Sequence, residues 1–283
     1  MKYLIVGAGG MLGTDLRAAL AGRDVTALTR AELDVTDASA VAAAAAGHDV
    51  VINAAAYTKV DDAESHEDAA YAVNATGAGN LAAAASAAGA KLVQISTDYV
   101  FDGSATSPYP EQTPVAPVSA YGRTKAAGER LALENHADGT YIVRTAWLYG
   151  QHGPNFAKTM LALAAKLDTV SVVDDQVGQP TWTLDLATQI VALLDAEAPV
   201  GIYHGTASGQ GSWFDFAGRV FAGAGLDPAR VLRTDSSQFV RPAPRPAYSV
   251  LGHDAWAAAS LPAMRDWREA LDEAFATGAL TSP

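Results

Sequence analysis

The chain has 283 residues, of which 49% are hydrophobic, and it carries a formal net charge of −12. This length suits one large α/β domain, or one domain with a smaller lobe, and the apolar content allows a sizeable core. The acidic balance disfavours non-specific binding to nucleic acid or to an anionic membrane surface. The absence of cysteine excludes disulfides, thiolate metal ligands and cysteine nucleophiles.

Two further features indicate a cytoplasmic location. The apolar run at the N-terminus, residues 3–6, is too short for a signal peptide. No stretch of the sequence reaches the ~20 apolar residues that a membrane-spanning helix needs. We therefore expect neither a membrane nor a nucleic acid as a partner.

Short apolar strands alternate with helices through the first half of the sequence. Buried strands separated by helices are typical of a parallel sheet that is covered on both faces, with right-handed crossovers. The pattern therefore predicts a Rossmann-like, doubly wound α/β fold. The predicted strands are Lys2–Val6, Asp24–Leu28, Asp49–Ala54, Lys91–Ser96 and Thr140–Thr145, and the predicted helices are Gly13–Ala21, Ala38–Ala46, Ala69–Ala88 and Ser119–Glu134.

The second half of the sequence is less regular. Its predicted helices are Phe156–Lys166, Leu184–Asp195 and Trp213–Gly223, and its predicted strands are Gly201–His204 and Val231–Arg233. Three prolines between residues 241 and 246 exclude a helix or a central strand there. We expect a nucleotide-binding core over residues 1–150, with contributions from about 170–205. A smaller, mostly C-terminal α/β lobe over residues 151–283 would bind the substrate in a cleft.

A glycine-rich loop joins the first predicted strand to the first predicted helix. Gly7, Gly10 and Gly13 follow the spacing Gly-x-x-Gly-x-x-Gly, and Met11 and Leu12 lie between them. Glycines permit a tight turn and a close approach of the backbone to a pyrophosphate, while the helix N-terminus offers free N–H groups. In this strand–loop–helix context, the loop predicts a dinucleotide-binding site.

The end of the second strand distinguishes the two nicotinamide cofactors. Binders of NAD usually carry an acid at this position for the ribose 2′-hydroxyl, whereas this chain has Arg30. Arg30 can pair with a 2′-phosphate, which favours NADPH, although Glu32 lies nearby and leaves NADH possible. Asp34 and Val35 are expected at the adenine edge. After the third strand, small residues let the cofactor approach the backbone, and the candidates are Asn53, Ala54, Ala55, Ala56 and Tyr57.

Thr97, Tyr121 and Lys125 form the candidate catalytic group. A tyrosine with an ordinary pKa near ~10 is a poor acid or base at neutral pH. A lysine one helical turn away places a positive charge on the same face and favours the phenolate. Thr97 follows a predicted strand and can supply a hydroxyl to a substrate oxygen. These residues, in this order and spacing after a glycine loop, resemble the extended short-chain dehydrogenase/reductase superfamily.

Longer segments are similar to those of dTDP-4-dehydrorhamnose reductases, and together they cover nearly the whole chain. They are Asn53–Glu64, Ser96–Gly103, Arg144–Tyr149, Asn155–Met160, Asp174–Thr181 and Arg245–Ser249. The resemblance implies NAD(P)H-dependent reduction of the C4 ketone of dTDP-4-dehydro-L-rhamnose. It implies that Tyr121 protonates the ketone oxygen, that Lys125 lowers the pKa of Tyr121 and binds the nicotinamide ribose, and that Thr97 orients the carbonyl.

The same resemblance implies a set of substrate-binding residues. Trp147 would pack against the sugar and Arg245 would bind the diphosphate as a fork-shaped donor. Each has a plainer alternative: Trp147 as a core aromatic, Arg245 as an ion-pair partner, and Asn155 with Lys158 as a helix cap facing solvent. The full set is Val60, Asp62, Thr97, Asp98, Tyr99, Trp147, Asn155, Lys158 and Arg245.

Metal binding and assembly are less defined by the sequence. Some members of the family bind magnesium through acidic residues at a dimer interface, and Asp15 matches one such position with a shorter side chain. Asp185 does not align cleanly with another, and the six histidines lack ligand spacing. We expect no catalytic metal. A structural ion, and the choice between monomer and homodimer, stay open.

Three related functions compete with the reductase. A nucleotide-sugar 4,6-dehydratase usually carries Asp-Glu after the threonine, whereas this chain has Asp98 followed by Tyr99. A 4-epimerase uses the same Thr, Tyr and Lys, and only the segments Arg144–Tyr149 and Asn155–Met160 weigh against it. The β subunit of methionine adenosyltransferase has similar motifs and acts by binding a partner enzyme.

Overall fold

Strands and helices alternate along residues 1–281, the part of the chain that the computed structural model describes. The strands are β1 (Lys2–Val6), β2 (Asp24–Leu28), β3 (Val50–Asn53), β4 (Lys91–Thr97), β5 (Thr140–Thr145), β6 (Leu148–Tyr149), β7 (Val170–Val173), β8 (Val177–Gly178), β9 (Thr181–Trp182), β10 (Gly201–His204), β11 (Gly211–Ser212) and β12 (Val231–Thr234). The helices are α1 (Met11–Ala19), α2 (Ala38–Ala45), α3 (Val60–Ala63), α4 (Glu67–Tyr71), α5 (Gly77–Ala88), α6 (Ala120–His136), α7 (Phe156–Ala164), α8 (Thr183–Asp195), α9 (Trp213–Gly223), α10 (Asp254–Ala258) and α11 (Trp267–Ala276).

The central sheet has six parallel strands in the order β2-β1-β3-β4-β5-β10. The chain runs outward from β1 to β2 on one side and from β3 to β10 on the other. The order of the strands therefore reverses between β1 and β3. Ligands of such sheets bind beyond the carboxyl ends of the strands at this reversal. The predicted doubly wound α/β fold is confirmed.

Both faces of the central sheet are buried. Neighbouring residues of each strand point to opposite faces, and they pack in two separate hydrophobic clusters. Ile5 and Ile52 pack in a cluster with α1, α8 and Trp256. Leu4 and Val51 pack in a second cluster with α2, α5 and α6. Burial on both faces explains why these strands are continuous apolar runs in the sequence rather than alternating ones.

A separate hydrophobic cluster forms in the C-terminal half, around Phe216, Phe221, Trp182, Trp267 and Leu271. It brings α7, α9 and α11 together with short strand pairs. β7 pairs with β12 and β6 with β9 in parallel, and β8 pairs with β11 in the antiparallel direction. This is the smaller α/β part that accompanies the sheet.

The predicted helix Ala69–Ala88 differs most from the structure. It consists of α4, a π-helical turn at Ala72–Thr76, and α5. Gly128 of α6 lies so close to this turn that a Cβ there would be 2.1 Å from the Asn74 carbonyl oxygen. Within residues 1–281, no helix combines the length and the apolar character needed to cross a membrane.

Candidate active site

The glycine loop after β1 has a backbone that no other residue would permit. Gly7 has a φ of +82°, and a Cβ there would lie 2.6 Å from the Ala55 amide nitrogen. A Cβ on Gly13 would lie 2.3 Å from the Gly7 carbonyl oxygen. Gly10 precedes α1 without a side-chain cap, so the first N–H groups of that helix stay available to an anion. Met11 begins α1, and Leu12 points into the core.

A cavity of about 630 Å³ opens beyond the ends of β1, β2 and β3. Its walls include most of the predicted cofactor residues: Gly7, Gly10, Arg30, Asp34, Val35 and Ala54–Tyr57. Asn53 lies behind the wall, where its amide donates to the Gln94 side chain at 2.7 Å. A glycine turn, a free helix N-terminus and a cavity at the strand reversal fit a dinucleotide.

Arg30 and Glu32 differ in whether their side chains are already hydrogen-bonded within the protein. The Glu32 carboxylate accepts hydrogen bonds from the Thr29 amide and hydroxyl, both at 2.8 Å. Asp34 is likewise bound to the amide and hydroxyl of Thr36. Within residues 1–281, exposed Arg30 has no hydrogen-bond or ion-pair partner, and it lines the cavity. Arg30 is thus the side chain with donors to spare for an anionic group.

The π-helical turn connects the loop after β3 to helix α6 through the side chain of Asn74. The Asn74 side chain accepts from the Tyr57 amide at 2.8 Å and donates to the Tyr57 carbonyl at 3.1 Å. It also donates to the Thr124 hydroxyl at 3.1 Å. The sequence did not indicate Asn74, because a π turn has no recognisable local pattern, although such turns are frequent at functional sites.

Lys125 is buried against the end of β4. Its ammonium donates to the Ile95 carbonyl at 2.6 Å, and the Gln94 amide donates to the same oxygen at 2.8 Å. Burial lowers the pKa of Lys125 to about 8, against the opposing effect of the Glu129 carboxylate. The lysine therefore remains mostly charged at neutral pH.

Tyr121 lies one turn before Lys125 on α6 and beside Thr97. Burial, and then the nearby Asp98 carboxylate, raise the pKa of Tyr121, while a hydrogen bond with the Thr97 hydroxyl opposes the shift. The Tyr121 ring meets Tyr99 edge to face, with the centroids 5.6 Å apart. Tyr121 therefore keeps its proton at neutral pH.

Asp98 is buried below Thr97. The Thr97 hydroxyl donates to Asp98 Oδ1 at 2.9 Å, and the Tyr99 amide donates back to Thr97 Oγ1 at 3.2 Å. Burial raises the pKa of Asp98 to about 6, and the Ser249 and Thr97 hydroxyls oppose that shift. Asp98 is therefore a buried acid whose pKa lies above its usual range.

Behind Lys125, a buried ion pair joins α6 to β5. Arg144 Nη2 lies 2.8 Å from Glu129 Oε2, and Arg144 Nε donates to Glu129 Oε1 at 2.9 Å. The Ser96 hydroxyl also donates to Glu129 Oε1, at 2.5 Å. The sequence had presented Arg144 only as part of a longer segment, since nothing local reveals its partner fifteen residues away.

The predicted diphosphate ligand, Arg245, lies opposite α3. Its guanidinium is 2.9 Å from Asp61 and 6.0 Å from the centre of the Tyr99 ring. Asp62 accepts a hydrogen bond from the Tyr57 hydroxyl, and Val60 begins α3 beside it. Arg245 is thus paired to an acid of α3, the helix that also carries Val60 and Asp62.

Trp147 has the left-handed φ of +47°, which is rare for a non-glycine residue. Its ring stacks on Trp213, with centroids 3.6 Å apart and planes 9° apart. A Cβ on Gly178 would lie 2.6 Å from the Trp147 ring, so that glycine makes room for it. Trp213 was not among the predicted site residues, because it stands in an ordinary amphipathic helix.

Asn155 and Lys158 belong to the start of α7. Asn155 caps the helix by accepting from the Lys158 amide at 3.1 Å, and it donates to the Gly150 carbonyl at 2.9 Å. The Lys158 ammonium donates to the Gln151 carbonyl at 2.5 Å. The capping role that the sequence left open for Asn155 is therefore present.

The two acids considered for magnesium have protein partners. Asp15 accepts from the Thr183 hydroxyl at 2.5 Å and lies 3.6 Å from His152. Asp185 is paired with Arg265 at 2.8 Å. In the described part of the chain, no group of three or more His, Asp or Glu side chains is arranged to hold a metal ion.

The fold and this site together define the short-chain dehydrogenase/reductase class: a glycine turn after β1, Thr97 at the end of β4, and Tyr121 and Lys125 on α6. The family model described as "RmlD substrate binding domain" matches residues 1–279, and the chain belongs to this family.

Named relatives are similar over almost their whole length. A dTDP-4-dehydrorhamnose reductase of Streptomyces griseus is 52% identical, over 97% of this chain and 93% of that protein. A dTDP-4-keto-6-deoxy-D-glucose reductase of Streptomyces niveus is 48% identical, over 97% and 96%. The crystal structure of dTDP-4-dehydrorhamnose reductase from Bacillus anthracis in complex with NADP has a TM-score of 0.93 at 40% identity, covering 98% of this chain and 100% of that one.

Proposed function

We propose that this protein reduces the C4 ketone of dTDP-4-dehydro-β-L-rhamnose to give dTDP-β-L-rhamnose, with NADPH as the reductant. The observation that carries this proposal is the Tyr121 hydroxyl beside Thr97 at the end of β4, in a sheet whose strand reversal holds a dinucleotide-sized cavity. The similarity to the reductases of Streptomyces griseus and Bacillus anthracis supports it.

In the proposed mechanism, the ketone carbon receives a hydride and the ketone oxygen receives a proton. A reduced nicotinamide, when bound, supplies the hydride to the ketone carbon. Tyr121 gives its phenolic proton to the ketone oxygen, and the positive charge of Lys125 favours the phenolate that remains. The raised pKa of Tyr121 keeps the proton in place until the ketone arrives. General acid catalysis of this kind typically contributes ~10²–10⁴-fold.

The remaining site residues would bind the nucleotide-sugar. Trp147, stacked on Trp213, would pack against the sugar, and Val60, Asp62 and Tyr99 would also contact it. Arg245 would exchange Asp61 for the diphosphate, since a guanidinium suits both groups. Asn155 and Lys158 would contact the substrate from the start of α7. In this scheme, residues 1–150 with part of 170–205 hold the cofactor, and residues 151–283 mainly hold the sugar.

Arg30 would set the preference for NADPH, because its free guanidinium lines the cavity where the adenosine ribose would lie. We predict that Arg30→Ala weakens NADPH binding about 10-fold or more, the worth of a hydrogen-bonded charge, and leaves NADH binding within about 3-fold. Fluorescence titration with each nucleotide would measure this. Arg130→Ala, which removes an exposed arginine paired with Glu134, should change neither affinity. Equal losses for both nucleotides would remove Arg30 from this role.

The experiment for the proposed function follows NADPH absorbance with two substrates. The first is dTDP-4-dehydro-L-rhamnose generated in situ. The second is dTDP-4-keto-6-deoxy-D-glucose, which the name of the Streptomyces niveus relative introduces as a second candidate. We expect substrate-dependent oxidation of NADPH with the first and a lower kcat/KM with the second. A higher value with the second would reassign the substrate. Conversion without net loss of NADPH would indicate an epimerase, and no conversion by folded protein with either cofactor would refute the proposal.

A further inference from the structure

The single proton of the Thr97 hydroxyl is directed to Asp98. A threonine hydroxyl has one proton to donate and two lone pairs to accept with. Its proton goes to Asp98 Oδ1 at 2.9 Å, and one lone pair receives the Tyr99 amide at 3.2 Å. Thr97 therefore has no proton left for a substrate ketone.

The state of Asp98 fixes this arrangement. An ionised carboxylate only accepts hydrogen bonds, so Thr97 must donate to it. A protonated Asp98 can instead donate to Thr97 Oγ1, and the proton of Thr97 is then free to turn towards the cleft. The proton comes from solvent and forms an O–H bond on the Asp98 carboxyl group, and no other covalent bond of the protein changes.

The surroundings of Asp98 allow both states. Its side chain is 2% exposed, and its Oδ2 atom has no hydrogen-bond partner of normal geometry within residues 1–281. The groups around it are the Thr97 and Ser249 hydroxyls and the Tyr99 and Tyr121 rings. The charges of Arg245 and Asp61 lie near the Tyr99 ring, where the first lowers and the second raises the pKa of Tyr99. Neither residue makes an ion pair with Asp98, so its charge is not locked in place.

We propose that Asp98 is a positioning residue that switches the Thr97 hydroxyl between donating its proton to Asp98 and donating it to the substrate ketone. This inference rests on the proposed reductase function. In the ionised state of Asp98, Tyr121 is the single donor to the ketone oxygen. In the protonated state, Thr97 and Tyr121 both donate to it. The protonated state is the more active one, because a second donor stabilises the charge that develops on that oxygen.

The test is the pH dependence of kcat/KM for the ketone at saturating NADPH. In the wild-type protein, kcat/KM should rise about 10-fold as pH falls through about 6, which is the worth of one neutral hydrogen bond. Asp98→Asn carries an N–H donor at the same place, so it should keep the higher value across this range without the step. Ser249→Ala removes a hydroxyl that favours the ionised carboxylate, so its step should move to higher pH.

A matched control is Asp102→Asn, which makes the same charge change on the same loop. Asp102 is exposed and is bound to Ser104 and Tyr109. Its substitution should leave the step at the wild-type pH. A wild-type profile without the step, or a step that persists in Asp98→Asn, would overturn the proposal.

A second measurement does not depend on catalysis. Carbon-13 NMR of aspartate-labelled, cofactor-free protein should show one carboxyl signal that titrates near pH 6, is missing from Asp98→Asn, and titrates at higher pH in Ser249→Ala. If Asp98→Asn does not fold, the Ser249→Ala shift alone decides the question. If the signal behaves as expected but the wild-type protein reduces no ketone, the proposed function fails. If ketone reduction occurs without the pH step, only the role of Asp98 fails.

Discussion

The pKa values of Tyr121 and Lys125 are shifted in opposite directions, and burial is the main cause of both shifts. Burial disfavours the charged form of each group, so it raises the pKa of the phenol and lowers that of the ammonium. The pKa of Lys125, about 8, still leaves it mostly charged at neutral pH. Tyr121 thus keeps its proton and Lys125 keeps most of its charge, as the proposed proton transfer from Tyr121 requires.

The direct test of the acid is Tyr121→Phe. Because the ring and its packing against Tyr99 are kept, only the proton and the hydroxyl are lost. Turnover should fall by at least ~10²-fold, and NADPH affinity should stay nearly unchanged. Initial rates and nucleotide titration would measure the two effects. Tyr71→Phe, at an exposed tyrosine, is the matched control and should behave as wild type. Wild-type turnover in Tyr121→Phe would move the acid role to another group.

At the scale of elements, the π-helical turn connects the loop after β3, which contains Tyr57, to helix α6, which carries Tyr121 and Lys125. Asn74 lies in this turn and satisfies both backbone groups of Tyr57 as well as Thr124. A regular helix over the same residues would place the side chain differently, since each π turn adds one residue to the helical repeat. The turn therefore fixes the position of the loop against α6.

We predict that Asn74→Ala lowers the free energy of unfolding by about 3 kcal/mol, because it leaves a half-buried amide of Tyr57 without its acceptor. Nucleotide affinity should fall with it, since Tyr57 lines the cavity. Asn135→Ala removes an exposed amide bound to the Leu131 carbonyl and should change stability by less than about 0.5 kcal/mol. Urea denaturation would compare the two variants. Similar values for both would contradict a special role for the turn.

The glycine loop gives a second test at this scale. Gly13→Ala would place a methyl group 2.3 Å from the Gly7 carbonyl, and we expect a loss of about 2 kcal/mol in stability together with weaker NADPH binding. A methyl group on Gly218 in α9 would meet, within residues 1–281, no atom within 4 Å apart from its chain neighbours and the backbone of its own helix, so Gly218→Ala should stabilise the protein by about 0.5–1 kcal/mol. Thermal denaturation with and without NADPH would show both effects. A tolerated Gly13→Ala would mean that the loop can shift.

Sequence patterns predicted the elements whose residues carry their own signal. The strands Lys2–Val6, Asp24–Leu28 and Thr140–Thr145 have the predicted bounds, because they are short apolar runs between helices. The short strands β6, β8, β9 and β11 were not predicted, since two residues carry no periodicity. Helix α11 was also not predicted, although its buried Trp267 and Leu271 are four residues apart.

In the candidate site, too, the sequence revealed local patterns but not contacts between distant residues. The glycine turn and the Tyr121–Lys125 spacing are local, so the sequence revealed them. The pairings of Arg144 with Glu129, Arg245 with Asp61, and Trp147 with Trp213 join distant parts of the chain. No local pattern encodes such contacts.

At the scale of the whole molecule, we expect the substrate to bind between the central sheet and the C-terminal cluster. The cavity lies at the strand reversal of the sheet, and the Trp147–Trp213 stack packs against the cluster. Arg245 and the neighbouring Ala243 amide both bind Asp61, which ties the proline-rich segment to α3. A nucleotide-sugar bridging these parts would present its ketone to Tyr121.

The most direct measurement of the central claim uses NADPH that carries deuterium at the transferable position of the nicotinamide. The protein is incubated with this cofactor and dTDP-4-dehydro-L-rhamnose, and the sugar product is analysed by NMR and mass spectrometry. We predict dTDP-L-rhamnose with one deuterium, located at C4 of the sugar. A product without deuterium at C4, or with deuterium at another carbon, would contradict hydride transfer to the C4 ketone.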